Sequence, residues 1–392
     1  MNFKNASISL VFGIFLAFSA FSQTSDLNLG ENKLENATFS LTYFKLKMDS
    51  LKTGKIKKVN ILQIGDSHIQ PDNFSGETRR QLQKQYGNGG RGLIFPYNLA
   101  KTNGPKDYTA SSNTTWTDSW ITHFNQKFKI GFPGIGMQSE LNAGTIDFNM
   151  SKDSIKSPFI KAFVVYSMEP SSNGSITLNK QVTKKNNGLL FDTICIELKK
   201  EQTNLKVEFK DTKLTFHAVY FENENQGVVY SSVGVAGAKY TNFLSNEFFA
   251  KQLPIFSSDL IIISMGTNEA YDSKYDSLSF QIVVDSMLTT IHKVNPNASI
   301  LLTLPSENYR VKSGQPTENL NTESVSRILR AQAIKHHCAI WDLYAVMGGK
   351  GSMLKWRTAG LVNKDHIHYL RKGYNLQGQL LSDALIQFLE VR

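Results

Sequence analysis

The chain has 392 residues, 41% of them hydrophobic and 11% aromatic, so it is long enough for two domains and is not an intrinsically disordered chain. Its net charge is +10. The basic residues are scattered and form no recognisable nucleic-acid-binding module, so we expect no nucleic-acid partner. Two cysteines, Cys195 and Cys338, exclude a disulfide-rich scaffold. Each lies in an apolar run, which favours a buried free thiol. The alternative is a single disulfide between them. No Cys/His spacing indicates a metal site.

Residues 1–22 have the pattern of a secretory signal peptide. Lys4 supplies the positive charge, residues 8–21 form an apolar stretch too short to span a bilayer comfortably, and Ala20-Phe21-Ser22 offers small residues before a cleavage site at Gln23. A membrane anchor is the alternative. The pattern predicts an exported protein, secreted or periplasmic, with no stable membrane insertion after cleavage.

The first strong structural signal is an apolar run over residues 59–64, rich in Val and Ile, that ends in Gly65-Asp66-Ser67. Such a run is typical of a buried strand. Residues 74–86 have helical spacing, so Ser67 is predicted at the turn from a strand to a helix. An α/β fold places its ligand at this point, and a helix N-terminus favours negative charge. The glycine-rich run 87–92 follows the helix, lacks the context of a phosphate-binding loop, and is interpreted as a flexible loop.

The pattern changes between residues 111 and 225, where short alternating or apolar runs are separated by turn signals and no convincing helix intervenes. Such spacing predicts a β-sandwich or jelly roll. We interpret 111–225 as an inserted all-β, jelly-roll-like domain that is a candidate for binding carbohydrate. Trp116 and Trp120, near its start, could stack on a sugar or pack in a core or domain interface. The predicted strands are 127–132, 144–149, 159–168, 175–178, 189–198, 205–210 and 214–222.

From about residue 226 onward, strands and helices alternate. This alternation predicts a mainly parallel sheet with helices on both faces. The core domain is therefore expected to be discontinuous, built from residues 57–110 and 226–392, and preceded by a lead-in over 23–56. The predicted strands of the second part are 228–235, 259–265, 298–304 and 339–343, and its main predicted helices are 277–293, 319–337 and 374–389.

The segment Asp365-His366-Ile367-His368 lies between a loop and the last helix. A carboxylate three residues before an imidazole can orient it, and a nucleophilic serine needs an oriented base. Because a parallel sheet gathers its strand ends along one edge, we expect Ser67 as nucleophile, His368 as base and Asp365 as the orienting acceptor. His366 is the rival base, but it follows Asp365 directly in the chain. Its side chain is therefore expected to point away from that of Asp365. The non-catalytic alternatives are that Asp365 caps a helix and that His368 is a solvated loop residue.

Acyl transfer also needs hydrogen-bond donors for the oxyanion of the tetrahedral intermediate. Gly237 offers a backbone N–H on a strand-to-helix turn, with no side chain to block a substrate. Asn268 offers a side-chain amide just past a strand end, and the N–H of Ser67 is the third donor. Taken singly, Gly237 is equally a turn residue and Asn268 a helix cap.

Together, Gly65-Asp66-Ser67, Gly237, Gly266-Thr267-Asn268 and Asp365-x-x-His368 resemble, in type and order, the four blocks of the SGNH, or GDSL-type, hydrolases. The resemblance covers residues 57–110 and 226–392 and implies a flavodoxin-like three-layer α/β sandwich. It implies that Ser67, Asp365 and His368 are catalytic, that Ser67, Gly237 and Asn268 form the oxyanion hole, and that no metal or organic cofactor is needed.

Two positions depart from the family pattern and leave the reacting groups in place. His68 stands where Leu usually follows Gly-Asp-Ser, and Glu269 stands where Asp often follows Asn268. With the predicted export and the inserted β-domain, the Gly-Asp-Ser-His block resembles that of bacterial peptidoglycan O-acetylesterases.

These observations predict an exported serine esterase that removes O-acetyl groups from a cell-envelope glycan, with peptidoglycan as the first candidate, through an acyl-enzyme. The alternatives are an acetylesterase for xylan or a host glycan, an O-acyltransferase with the same groups, and a non-catalytic glycan-binding protein. The sequence predicts neither the oligomeric state nor which glycan is the substrate.

Overall fold

The computed structural model describes residues 27–152, 155–312 and 315–391. The predicted signal peptide, residues 1–22, lies outside these ranges. Within them, no helix combines the length and the hydropathy needed to cross a membrane. The strands are β1 (Leu34–Glu35), β2 (Lys58–Gly65), β3 (Asn88–Gly90), β4 (Gly92–Ile94), β5 (Thr109–Ser112), β6 (Trp116–Trp120), β7 (Ile135–Ser139), β8 (Gly144–Asn149), β9 (Ser151–Lys152), β10 (Ile155–Lys156), β11 (Phe159–Met168), β12 (Ser175–Leu178), β13 (Val182–Lys185), β14 (Asp192–Gln202), β15 (Asn204–Lys210), β16 (Leu214–Glu222), β17 (Gly227–Gly234), β18 (Leu260–Ser264), β19 (Ser299–Leu304), β20 (Tyr309–Lys312), β21 (Gln315–Glu318) and β22 (Ala339–Asp342). The helices are α1 (Ala37–Ser40), α2 (Thr42–Lys52), α3 (Phe74–Tyr86), α4 (Tyr240–Ser245), α5 (Glu247–Gln252), α6 (Thr267–Tyr271), α7 (Ser277–Val294), α8 (Asn321–Lys335), α9 (Leu343–Val346), α10 (Ser352–Thr358) and α11 (Arg371–Glu390).

The central sheet has the strand order β1-β22-β19-β18-β2-β17-β3. Its strands pair in parallel from β22 to β3, and the edge strand β1 is antiparallel to β22. Numbered by their order along the chain, β2, β17, β18, β19 and β22 are arranged 2-1-3-4-5, the order of flavodoxin-like sheets. The mainly parallel α/β sheet that the alternating pattern predicted is confirmed, and β2, which leads to Ser67, lies inside it.

This sheet separates two apolar cores, because successive side chains of a strand point to opposite faces. Along β18, Ile261 and Ile263 pack on one face, and Leu260 and Ile262 pack on the other. Helices α7 and α8 contribute to the first core, and α2 and α11 to the second. The helix spacing explains this placement: in α3, for example, Phe74, Thr78 and Leu82 recur every fourth residue and are buried.

A second region consists of two antiparallel sheets. One has the order β14-β11-β16-β7-β6, with β4 also paired to β16, and the other has the order β13-β12-β15-β8-β5. Their inner faces share an aromatic core: the ring centroids of Phe148 and Phe216 are 5.7 Å apart, and those of Trp116 and Phe209 are 5.8 Å apart. The predicted all-β region is confirmed as antiparallel, and its jelly-roll-like topology stays a prediction. Trp116 is buried, which agrees with packing in the core and not with stacking on a sugar, whereas Trp120 is half-buried.

Three local predictions were wrong. Residues 127–132 form no strand. The run 87–92 is not a loop, because it contributes to strands β3 and β4 and packs so closely that a Cβ on Gly90 would lie 2.8 Å from the Phe221 carbonyl oxygen. Cys195 is exposed on β14, at the edge of its sheet, although Cys338 is buried and both thiols are free.

Candidate active site

The turn after β2 places Ser67 at the carboxyl end of the parallel sheet. The Asp66 carbonyl oxygen accepts hydrogen bonds from the N–H groups of Ile69 and Gln70, both at 3.1 Å, which closes the turn. A Cβ on Gly65 would lie 2.2 Å from the Ile69 side chain and 2.8 Å from the Ser264 carbonyl oxygen. Glycine is therefore required here, because the turn lies directly against β18.

Ser67, His368 and Asp365 are brought together in one hydrogen-bonded line. Ser67 Oγ lies 2.8 Å from His368 Nε2, and His368 Nδ1 lies 2.7 Å from Asp365 Oδ2. An ionised carboxylate can only accept, so Nδ1 carries the proton and the Nε2 lone pair faces the serine hydroxyl. In this tautomer His368 can take the proton of Ser67 as a general base.

The Asp365 carboxylate is held by its own loop. Its Oδ1 accepts hydrogen bonds from the backbone N–H groups of Ile367 at 3.0 Å and His368 at 2.9 Å. Burial alone raises the pKa of Asp365, but the hydrogen bonds from the His368 ring and the two backbone N–H groups outweigh it, so its pKa lies below the usual value. The rival base His366 has no hydrogen bond to Ser67 among the described residues, and its ring nitrogen Nδ1 is buried without a partner.

Two backbone N–H groups predicted to bind the oxyanion are free. Within the described residues, the N–H groups of Ser67 and Gly237 have no acceptor. Gly237 has φ +77°, and no atom lies within 4 Å of the position of a Cβ, so a substrate can approach the backbone there. Asn268 lies in the same site, but its Nδ2 already donates to Ala238 O at 3.0 Å and to Asp66 Oδ2 at 3.2 Å. Asn268 can serve an oxyanion only by sharing or releasing one of these hydrogen bonds.

Two buried carboxyls underlie the site, and the sequence interpretation gave neither a role. Asp66 Oδ1 accepts the N–H of His68 at 2.9 Å, and Glu269 Oε1 accepts the N–H of Tyr240 at 2.6 Å. Burial raises the pKa of each to about 7, against hydrogen bonds that lower it. Asp66 links the nucleophile turn to Asn268, and Glu269 links the Asn268 helix to the segment that follows Gly237. Asp66 lies within one of the sequence motifs and Glu269 directly follows another, but no sequence pattern shows that their carboxyls are buried.

A buried ion cluster, formed by Asp72, Arg79, Arg91 and Asp107, begins at the end of the same turn, where Asp72 lies. Arg79 Nη2 is 2.7 Å from Asp72 and 3.0 Å from Asp107, while Arg91 is 2.9 Å from Asp72 and 2.6 Å from Asp107. Burial raises the pKa of Asp72, but the two guanidinium groups reverse the shift and hold it well below its usual value. The described residues contain no group of three or more His, Cys, Asp or Glu side chains that could hold a metal ion.

Comparisons with known proteins give a family match for part of the chain and a similar fold for most of it. Residues 214–376 match the model of the GDSL-like Lipase/Acylhydrolase family, a stretch that includes Gly237, Asn268, Asp365 and His368 but not Ser67. A solved peptidoglycan O-acetylesterase is similar over 91% of this chain and 99% of its own, with 24% identity and a TM-score of 0.79.

More distant matches include a lipase/acylhydrolase from Enterococcus faecalis, with 20% identity over 42% of this chain and 80% of that one and a TM-score of 0.33. A family two carbohydrate esterase from Cellvibrio japonicus has 10% identity over 72% of this chain and 99% of that one and a TM-score of 0.30. No curated protein matches the chain. Part of the chain, residues 214–376, is thus similar in sequence to GDSL-like lipases and acylhydrolases. Across nearly its whole length, its fold resembles that of a peptidoglycan O-acetylesterase.

Proposed function

We propose that this protein is an exported serine esterase that removes O-acetyl groups from a cell-envelope glycan, with peptidoglycan as the first substrate to test. The observation that carries the chemistry is the line from Ser67 Oγ through His368 to Asp365, with donor–acceptor distances of 2.8 and 2.7 Å. The likeness in fold to a peptidoglycan O-acetylesterase supports the choice of glycan.

In this proposal, the reaction begins when Ser67 gives its hydroxyl proton to His368 Nε2 and attacks the carbonyl carbon of the acetyl ester. The carbonyl oxygen becomes an oxyanion that accepts hydrogen bonds from the N–H groups of Ser67 and Gly237 and from the Asn268 amide. The bond to the sugar oxygen then breaks, and His368 returns its proton to that oxygen. The acetyl group remains on Ser67 as an ester.

Water completes the cycle by the same route. His368 Nε2 takes one proton from the water, the hydroxide oxygen attacks the acetyl-enzyme, and the oxyanion forms again between the same donors. When this intermediate collapses, acetic acid leaves and the proton on His368 goes back to Ser67 Oγ. Asp365 accepts the Nδ1 hydrogen bond throughout and stabilises the imidazolium in both halves.

We further propose that residues 57–110 and 226–392 form the catalytic domain, preceded by the signal peptide 1–22 and the lead-in 23–56, and that the inserted region 111–225 holds the glycan. Contacts beside the oxyanion donors support this role. The Asn242 amide donates to the Ile121 carbonyl oxygen at 3.1 Å, and a Cβ on Gly134 would touch both Ile121 and Val235 at 2.8 Å. The β-region thus adjoins the segment that leads to Gly237.

The test is acetate release by the mature chain from O-acetylated peptidoglycan, with O-acetylated xylan alongside and Ser67→Ala as the control. Release from peptidoglycan that depends on Ser67 is expected. Release from xylan alone would keep the chemistry and overturn the substrate. Transfer of acetyl to a second glycan without net acetate release would replace hydrolysis by acyl transfer. Activity that survives Ser67→Ala would overturn the proposed site.

A further inference from the structure

His68 occupies a position that the mechanism above does not use. It follows the nucleophile directly and stands where the resembled family usually has Leu. Its ring lies against the base: the ring centroids of His68 and His368 are 5.2 Å apart, with an angle of 33° between the planes. The backbone of His68 is fixed as well, because its N–H donates to Asp66 Oδ1 at 2.9 Å.

The His68 ring is held from the other side by two tyrosines. His68 Nδ1 lies 2.9 Å from the Tyr374 hydroxyl oxygen. The Tyr374 ring meets His68 edge-on at 5.8 Å, and the Tyr369 ring lies at 6.2 Å. Both tyrosines come from the segment that follows His368, so this contact joins the nucleophile turn to the loop and helix that carry the base.

The surroundings keep the His68 ring neutral. Burial, followed by the nearby His368, lowers the pKa of His68 to about 3. Its Nε2 is buried and has no hydrogen-bond partner among the described residues. A buried polar atom without a partner costs free energy, so packing alone does not account for an imidazole here.

We propose that His68 is a positioning residue: its ring, fixed by the Tyr374 hydroxyl, supports one side of the His368 ring and holds Nε2 in line with Ser67 Oγ. The inference rests on the proposed function, because it assigns His368 as the base. A supporting ring must be uncharged, since the reaction makes His368 an imidazolium, and a second cation about 5 Å away would oppose it.

The test compares Tyr374→Phe, which removes one hydroxyl and keeps every ring, with Tyr369→Phe as the matched control. The Tyr369 hydroxyl contacts Met347 Sδ at 3.2 Å and not His68. With 4-nitrophenyl acetate as substrate, Tyr374→Phe is expected to lower kcat about 5- to 10-fold with KM unchanged, and Tyr369→Phe to change neither. His68→Phe is expected to lower kcat by about 30- to 100-fold, within the range caused by a misplacement of about 1 Å.

A second arm repeats these substitutions in a His368→Ala background. If His68 acts through His368, neither His68→Phe nor Tyr374→Phe lowers the residual rate further. An equal loss in both backgrounds, or a loss from Tyr374→Phe no larger than that from Tyr369→Phe, would overturn the proposal. Melting curves accompany each variant, and Tyr374→Phe decides if His68→Phe does not fold. Ser67→Ala distinguishes failure of the proposed function from failure of the His68 proposal. Activity that survives Ser67→Ala overturns the proposed function. An inactive Ser67→Ala together with an unchanged kcat in Tyr374→Phe overturns only the role of His68.

Discussion

Asp66 and Asp72 lie six positions apart in the same turn, both buried, and their pKa values move in opposite directions. Among the described residues, Asp66 has no cationic hydrogen-bond partner: a backbone N–H and the Asn268 amide donate to it. Burial therefore dominates and raises its pKa to about 7. Asp72 contacts Arg79 and Arg91 in the ion cluster, and its pKa lies well below the usual value. Burial acts in the same direction on both carboxyls, and the guanidinium groups decide the outcome.

The comparison separates two uses of charge within one turn. The ion cluster contains two positive and two negative side chains at contact distance, so its charges compensate, and removing one partner would leave an uncompensated buried charge. Near Ser67 the Asp365 carboxylate instead accepts hydrogen bonds from the His368 ring and from backbone N–H groups. Asp365 and His368 are also partly exposed, with side-chain exposures of 40% and 38%. Changes near Ser67 should therefore act on the rate, whereas changes in the ion cluster should act on stability.

The largest expected effect is that of Ser67→Ala. Removing the nucleophile should lower kcat for an acetyl ester by about 10⁵-fold or more, which corresponds to about 7 kcal/mol in activation free energy. The melting temperature should stay close to that of the parent. The matched control is Ser75→Ala beside the ion cluster, where Ser75 Oγ donates to Asp72 Oδ1 at 2.6 Å. This control should keep its kcat and lose about 1–2 kcal/mol of unfolding free energy. Equal kcat losses in both variants would remove the distinction between the two regions.

Next comes Asp365→Asn, which should lower kcat by about 10³- to 10⁴-fold, because an Asn amide can donate to Nδ1 and stabilise the wrong tautomer of His368. KM should change little, since Asp365 acts on the base and not on bound substrate. The comparison is with Asp72→Asn, measured by steady-state kinetics and by urea unfolding. A stable but slow Asp365→Asn beside a fast but unstable Asp72→Asn is expected, and the reverse pattern would contradict the assignment.

How far the sequence predicts this structure depends on the range of the interaction. The strand before Ser67 and the spacing of Phe74, Thr78 and Leu82 are local patterns, and the predicted helix 74–86 has the observed bounds. The Asp365–His368 contact spans three residues and is equally local. In contrast, residues 127–132 were predicted as a strand from a local apolar pattern alone, and in the part of the chain that the structure describes no strand pairs with them.

The contacts that the sequence did not predict join distant positions. The pairing of His68 with Tyr374 spans 306 residues, and the cluster of Arg91 with Asp72 depends on a fold that buries both. Burial of a charged residue cannot be read from its neighbours in the chain, because Arg and Asp are usually exposed. The hydrogen bonds of Asn268 to Asp66 and Ala238 likewise depend on how two strand ends meet.

A change within the ion cluster should have the third-largest effect. Arg91→Met removes one guanidinium and leaves Asp72 and Asp107 buried with one cation between them, which should cost about 3–5 kcal/mol of unfolding free energy. The control is Arg80→Met, which breaks the exposed Arg80–Glu77 pair at 2.6 Å on helix α3. Because Arg80 is largely exposed, its loss should cost at most about 1 kcal/mol. Urea unfolding measures both, and similar losses would mean that burial does not strengthen the cluster.

The smallest effect, counted per pH unit, is a pH dependence of stability that differs in sign between the two carboxyls. For Asp66 the pKa is about 7 in the folded chain and about 3.9 in an unfolded one. Between these values the folded chain keeps a proton that the unfolded chain has released, so the unfolding free energy falls as pH rises, by at most about 1.4 kcal/mol per pH unit. Asp72 acts in reverse: its folded pKa is depressed, so its contribution is lost as pH falls below about 4.

Asp66→Asn should therefore flatten the decline in unfolding free energy between about pH 4 and pH 7 by up to about 1 kcal/mol per unit, as measured by urea unfolding at four pH values. Glu269 shifts in the same direction, with a pKa of about 7, so Glu269→Gln is needed to separate the two contributions. Asp72→Asn should leave this slope and remove the loss on the acid side. If Asp66→Asn keeps the parent slope, Asp66 is ionised in the folded chain at every pH tested. The hydrogen bonds from His68 and Asn268 would then outweigh burial, and the two ends of the turn would differ in their partners but not in their charge.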